Sequence, residues 1–348
     1  MKKRIAVVGV GLIGQRHASA IMNAANASLA ALVDANPDIS SVADKAGARY
    51  FSSLHELLEH GGIDGVIVST PNEYHVEQAL ACIQAGLPVL VEKPLAVDLA
   101  GAKQITAAST AASVPVLTGH HRRHNPRVQS ARQLIAEGRL GQITAVQAST
   151  WFYKPDDYFE TAWRTQPGAG PVYLNLIHDI DMLRCFCGEV IQVQAMESSV
   201  TRGHQVEDTA VVILRFENGA LGTLSVSDCT VSPWSWELTS HENPVFPLSG
   251  ELCFQIGGTK GSLALPDLTL WNYADTRGWM QAINATRMPF SGAADPLVRQ
   301  VEQFARVIEG REQPLVSARD GLLNQTIIEA IKRSASEQLA VVLDPQNP

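Results

Sequence analysis

The sequence predicts an α/β N-terminal domain built on a doubly wound parallel sheet, followed by an α+β domain built on antiparallel sheet. Three observations carry this reading. A glycine fingerprint stands directly behind the first apolar run, short β-branched runs alternate with helical stretches up to residue 119, and the pattern changes after Gly119. A chain of 348 residues also exceeds one ordinary core of roughly 100–200 residues, so two domains are expected, 1–119 and 120–348.

In the first part the apolar runs fall at 4–8, 29–33, 49–51, 65–69, 88–91 and 115–118, with helical patterns such as 73–85 and 98–112 between them. Parallel strands need crossover helices and end buried on both faces, which a doubly wound sheet satisfies. Asp98 is the expected N-cap of the second of those helices. The basic start Met1 to Arg4 superficially matches a secretory leader, but patterned glycines interrupt its apolar run and no small-residue cleavage site follows, so it reads as a first strand.

After Gly119 come one helix at 125–137 and then runs at 143–151, 190–200, 208–216, 220–227, 253–256 and 263–265 that follow one another like strands. Glu217-Asn218-Gly219 reads as a hairpin turn, because Asn-Gly supplies the positive φ that tight turns require. Helical patterns at 172–187, 296–309 and 320–336 are expected to cover one face of that sheet, the last two bracing the domain junction. The long unpatterned stretches 153–170 and 230–250 are candidate binding loops.

Composition narrows the function. With 45% hydrophobic and 18% charged residues the chain is globular, and no stretch approaches the roughly 18 apolar residues of a membrane span. The formal net charge of −8 argues against a nucleic-acid partner. Five scattered cysteines show neither zinc-site nor disulfide spacing, which leads us to expect no metal and a reducing, cytoplasmic setting. Cys185 and Cys187 read as buried thiols rather than a redox pair.

Gly9-Val10-Gly11-Leu12-Ile13-Gly14 closes a strand and opens a helix, the context in which this spacing binds a dinucleotide. Gly9 makes the turn, Gly11 admits the pyrophosphate, and Gly14 lets helix and strand approach, while the helix N-terminus faces the phosphates. Asp34 lies about 20 residues on, where a carboxylate accepts the ribose hydroxyls. It repels a 2′-phosphate, and Ala35-Asn36-Pro37 offers no compensating cation, so NAD is expected over NADP. If the sheet register differs, Asp34 is a turn or capping aspartate. Thr70-Pro71-Asn72-Glu73-Tyr74-His75 follows the fourth strand and Glu92-Lys93-Pro94 the fifth, both at the ligand-binding carboxyl edge.

These motifs, with the later His178-Asp179-Ile180-Asp181 stretch, resemble in order and separation the Gfo/Idh/MocA (glucose-fructose oxidoreductase / inositol dehydrogenase) family. The resemblance covers nearly the whole chain. It implies a dinucleotide-binding domain, a second domain whose large open sheet forms a homodimer or homotetramer face, and a polyol, sugar or other cyclic alcohol as substrate. Thr70, Pro71, Asn72, His75 and Glu92 then fall in the cofactor site, and Lys93 lies beside the nicotinamide and the reacting hydroxyl. On its own, a lysine before a proline at a strand end is an ordinary solvated turn residue.

The glycine-rich run from Gly168 to Pro171 resembles the approach to the family's active-site helix, with His178 at the catalytic histidine. An imidazole titrates near pH ~6.5 and can take the hydroxyl proton. Many members carry an Asp four residues before this His, and here Leu174 stands there. Asn175, three residues before, and Asp181, three after, are the substitutes on the same helical face, whereas Asp179 points elsewhere. Further substrate contacts are expected among His121, Arg123, Lys154, Tyr158, Trp163, Arg164, Trp234, Trp236 and His241, with the basic run His120 to His124 as a rim. Two rival readings stay open: a dihydrodiol dehydrogenase acting on a carboxylated cyclic diol, and a non-catalytic dinucleotide sensor, against which the joint presence of Lys93 and His178 speaks.

Overall fold

The computed structural model describes residues 1–290, 292 and 294–348. The chain folds as two units, Met1–Asn125 with Ala294–Gln325, and Pro126–Ala293 with Thr326–Pro348.

In the first unit strand and helix alternate: β1 (Lys3–Val8), α1 (Leu12–Asn23), β2 (Ala27–Val33), α2 (Ile39–Ala46), β3 (Arg49–Phe51), α3 (Leu54–His60), β4 (Gly65–Val68), α4 (His75–Gln84), β5 (Val89–Val91), α5 (Leu99–Ala112) and β6 (Val116–Thr118). Among the described residues these strands form one parallel sheet ordered β3-β2-β1-β4-β5-β6. The order reverses between β1 and β4, which opens a crevice at their carboxyl ends. Side chains leave a strand on alternate faces, so β1 feeds two cores. Ala6 and Val8 pack with Leu57, Ala79 and Ile105 of α3 to α5, and Ile5 and Val7 with Ile21 of α1. Asp98 caps α5 as expected, accepting the Gly101 N–H at 2.8 Å.

This unit is larger than residues 1–119. A helix near the end of the chain, α9 (Pro296–Ile308), was expected to cover the second domain's sheet while returning to the domain junction; it packs wholly in the first unit, where its Leu297, Val301 and Phe304 complete the core of Ile5, Val7, Ile67 and Leu90. Gly65 makes room for it, since a Cβ there would stand 2.6 Å from Ile308 and 3.0 Å from Phe304.

The second unit comprises α6 (Pro126–Ala136), β7 (Ile143–Trp151), α7 (Ile177–Cys187), β8 (Val190–Ser198), β9 (Thr209–Phe216), β10 (Leu221–Ser227), α8 (Trp236–Thr239), β11 (Phe254–Gly258), β12 (Gly261–Leu265), β13 (Thr269–Asn272), β14 (Asn284–Arg287), the later turns of α10 (Ala318–Glu337) and β15 (Val341–Val342). Among the described residues the strands form a nine-stranded sheet, β14-β13-β12-β11-β7-β10-β9-β8-β15, antiparallel except for the β7–β10 pair. Ala210, Val212, Leu214 and Phe216 of β9 point into a core shared with Ile180 and Leu183 of α7 and Ile328 and Ile331 of α10. The expected hairpin joins β9 to β10, with Gly219 at φ +87°. β13, β14 and β15 escaped the sequence reading: all four residues of β14 are exposed, so no apolar alternation marks it.

Residues 172–187 were expected as one helix. They divide into a π-helical turn, Val172–Leu176, and α7. Among the described residues no helix is long and apolar enough to cross a membrane.

Candidate functional site

The candidate cofactor site of the first unit is built largely from backbone. Gly9 has φ +84°, and a Cβ on it would meet the Thr70 N and Ser69 carbonyl group at 2.7–2.8 Å. A Cβ on Gly14 would lie 1.9 Å from the Gly9 carbonyl oxygen, so both positions require glycine. A Cβ on Gly11 would touch nothing, because its face is open to solvent where a pyrophosphate would lie. Leu12 is fully exposed beside it and Ile13 is half-buried. Ser69, which the sequence reading passed over, ties β4 to this turn by donating to the Val8 and Gly9 carbonyls at 3.1 and 2.8 Å.

Asp34 stands at the end of β2. Its carboxylate accepts the Val10 N–H at 2.7 Å and the Asn36 N–H at 2.9 Å, and its carbonyl accepts the Tyr50 hydroxyl. Two accepted bonds leave a carboxylate further lone pairs for ribose hydroxyls. Gly9, Asp34, Ala35, Thr70, Pro71 and Tyr74 line a cleft of about 750 Å³ that has no lysine or arginine among its lining residues. The open Gly11 face, the available carboxylate and the lack of a cation fit a dinucleotide without a 2′-phosphate. Pro71 and Asn72 are exposed at its rim.

His75 is placed differently from expectation. It has no exposed surface, and its ring nitrogens lie 2.9 Å from the Pro94 carbonyl and 3.0 Å from the Thr70 carbonyl. Burial lowers its pKa against the pull of those carbonyls. The ring therefore braces two ligand-binding turns from behind.

Glu92 is buried at the end of β5, 2.7 Å from Nε2 of His17, a residue of α1 with no exposed surface. Burial alone would raise this carboxyl; His17, with help from His121 and Lys93, overrides it and pulls the value down to about 2. Gly119 makes this possible, since a Cβ there would stand 2.8 Å from the carboxyl carbon. The other carboxylate oxygen accepts the Lys93 N–H at 3.1 Å, so the buried pair fixes the turn that presents the half-buried Lys93. No sequence signal pointed to His17.

The basic run is not an exposed rim. Arg122, Arg123 and His124 are buried in a 3₁₀ turn against α9, and Arg123 bonds Asp320 at 3.3 Å and the Leu315 carbonyl at 3.4 Å. The expected substrate role of Arg123 gives way to an ion pair within the first unit. His121 is half-buried and near enough to Glu92 for its charge to be felt.

In the second unit His178 begins the buried face of α7. The glycine-rich approach is set by Glu207, almost wholly buried: it accepts the Val172 N–H at 3.0 Å and meets Lys332 at 2.5 Å. Gly170 has φ +52°, and a Cβ on it would collide with that carboxylate. π turns widen a helix and recur at functional sites. Asn175 lies within this turn and not within α7. Its half-buried amide has no hydrogen bond among the described residues. Asp179 is fully buried and accepts the Thr150 hydroxyl of β7, so it points to the sheet, and Asp181 is equally buried.

The loop from 152 to 170 folds into two 3₁₀ turns, Asp156–Glu160 and Ala162–Thr165. It brings Lys154, Tyr158, Trp163 and Arg164 together, with Lys154 and Arg164 on Tyr158 at 5.0 and 4.0 Å and Arg164 on Trp163 at 5.7 Å. Arg202, absent from the sequence reading, joins them by pairing with Asp228 at 2.7 Å and donating to the Lys154 carbonyl. From the other long loop, Trp236 proves to be core, 1% exposed and edge-on to Phe254, with Glu242 accepting its Nε1–H. Trp234 packs on Trp151, and His241 is an exposed residue at φ +54°. Burial pushes the Cys187 thiol up to about 12, which fits an inert buried thiol.

Comparison with known proteins agrees with this geometry. Residues 3–120 match the model of the oxidoreductase family's NAD-binding Rossmann fold, and residues 128–264 match the GFO/IDH/MocA C-terminal domain. The chain is 26% identical to myo-inositol 2-dehydrogenase of Thermotoga maritima over 98% of both chains. It is 29% identical to 1,5-anhydro-D-fructose reductase of Ensifer adhaerens over 84% of this chain and 83% of that one. Among solved structures, the WlbA dehydrogenase of Bordetella pertussis in complex with NADH and UDP-GlcNAcA superposes with a TM-score of 0.78 at 26% identity, covering 99% of each chain. The chain belongs to the Gfo/Idh/MocA family: it is an oxidoreductase of CH–OH groups whose cofactor is NAD.

Proposed function

We infer that this dehydrogenase oxidises, reversibly, a ring or chain hydroxyl of a sugar or polyol, with Lys93 and His178 managing the hydroxyl proton. The observation that carries this is the turn after β5, where Lys93 is presented by a buried Glu92–His17 pair rather than left as a solvated loop residue. The names of the relatives, an inositol dehydrogenase and an anhydrofructose reductase, support the substrate class.

Bound NAD supplies the hydride acceptor. The turn that Gly9 makes leaves Gly11 and the N-terminus of α1, with Gly14, to face its phosphates, and Asp34 presents its carboxylate to the ribose. The Lys93 ammonium stabilises negative charge as it develops on the substrate oxygen. His178 takes the proton, and because its Nδ1 is buried, Nε2 is the nitrogen assigned to it. An outward row on the second sheet, Met196, Val211, Ile213, Leu221 and Trp271, supports the expected homo-oligomer; mass determination by light scattering tests it.

Incubation with NAD and a panel of inositols, aldoses, sugar acids and cyclic diols should yield NADH. Lys93→Ala should lower kcat by roughly 10²–10⁴-fold, the usual worth of an acid–base group, with NAD affinity kept. NAD binding without turnover of any compound contradicts the reading.

A further inference from the structure

Arg164 stands apart from the ion pairs beside the 152–170 loop. Asp228, almost wholly buried, is held by the Arg202 Nε at 2.7 Å and faces Lys154 as well. Asp208, also buried, accepts the N–H groups of Thr201 and Arg202. Asp156, 3.5 Å from Arg202, is 95% exposed and screened by water. Lys154 and Arg202 thus face Asp228, while Lys154 and Arg164 both lie over the Tyr158 ring.

Arg164 is half-buried, and among the described residues no carboxylate pairs with it; its Nε is sealed from solvent without a hydrogen-bond partner. It is held in place by one bond to the Tyr158 carbonyl at 2.7 Å and by stacking on Tyr158 and Trp163. Stacking covers the faces of a guanidinium, and with Nε sealed it is the terminal nitrogens that are left for a planar bidentate partner. A half-buried cation without a counter-ion is costly, so an anion that supplies one is bound more tightly than a neutral analogue.

The loop also belongs to the His178 helix. It leaves the sheet after Trp151, one residue beyond the Thr150 that bonds Asp179, and returns through Gly170 into the π turn that precedes α7. An anion on Arg164 is thus held by the same segment that positions His178.

We propose that the substrate carries a carboxylate, as an aldonic or uronic acid does, and that the terminal nitrogens of Arg164 bind it, with Tyr158 and Trp163 holding the guanidinium in place. A carboxylate matches the planar fork of a guanidinium with two parallel N–H···O bonds. The proposal rests on the dehydrogenase reading above and names its substrate.

The test compares acid and neutral pairs, gluconate with glucitol and glucuronate with glucose, in the NAD-loaded enzyme. The expected result is a kcat/KM at least about 100-fold higher for the acid; Arg164→Gln removes that preference, changes the neutral substrates less than about threefold, and Arg164→Lys recovers part of it. Equal use of acid and neutral compounds, or an equal loss on both in Arg164→Gln, overturns it. If no compound is turned over, the dehydrogenase reading fails instead; calorimetric binding of gluconate and glucuronate then decides, since binding to the wild type that Arg164→Gln abolishes upholds the anion site and its absence rejects it.

Discussion

The two units make their contributions with different parts of the chain. In the first, the groups we propose for the cofactor are mostly main chain: a turn closed by the Gly14–Gly9 approach, a helix N-terminus, and one carboxylate, Asp34. In the second, the groups we propose for the substrate are side chains: His178 and the stack of Tyr158 and Arg164 on a loop. Backbone can recognise a group common to every reaction of a family, here a pyrophosphate, but it cannot tell one alcohol from another. Side chains on loops can, and they change without disturbing the sheet.

Substitutions on the two sides should therefore fail in different ways. The largest effect is expected for Gly14→Val: the new side chain meets a carbonyl oxygen rather than a movable side chain, and NADH affinity, followed by fluorescence, should drop by about 100-fold, near the 3 kcal/mol of an overpacked contact. Unchanged affinity would contradict the view that main chain builds this half. Asp34→Ala removes an acceptor shared by Val10 N and the ribose, and should weaken NAD by about tenfold while weakening NADP less. A parallel loss for both cofactors would show Asp34 to be a structural residue alone.

Glu92 gives a pH test of the turn that bears Lys93. Its folded value, about 2, lies below its ordinary 4.5, so its contribution to stability is complete above pH 4.5 and lost as pH falls towards 2. The Tm of the wild type should drop more steeply between pH 5 and pH 2 than that of Glu92→Gln; matching slopes would rule out the buried pairing with His17. The smallest effect is expected for Asp98→Ala, a helix cap remote from the chemistry: about 1 kcal/mol of stability, read from urea unfolding, with kinetic constants unaltered.

The same contrast explains what could be read from the sequence. The strands of the first sheet, the glycine turn, the Asp98 cap and the Asn-Gly hairpin are local patterns, and each is where its residues place it. The His17–Glu92 contact joins residues 75 positions apart, and nothing in either neighbourhood announces the other. Arg123 and His124 looked like an exposed basic rim because α9, which buries them, lies far along the chain. Trp236 looked like a ring for stacking sugars because a tryptophan in a long loop gives no sign of whether the loop folds inward. The π turn before His178 was equally hidden: its residues suit an α-helix, and the anchoring of Gly170 and Val172 by Glu207 is a long-range effect.

The position of α9 bears on how the protein is made. The strands of the first sheet leave the ribosome early, whereas Leu297, Val301 and Phe304, which cover one of its faces, are synthesised only after the whole second sheet. During that interval Ile5, Val7, Ile67 and Leu90 lack part of their cover, so a nascent chain stalled before residue 296 should bind chaperones and be cleaved by protease where the finished chain is resistant. Completion of the nucleotide-binding unit's core thereby waits on the last part of the polypeptide.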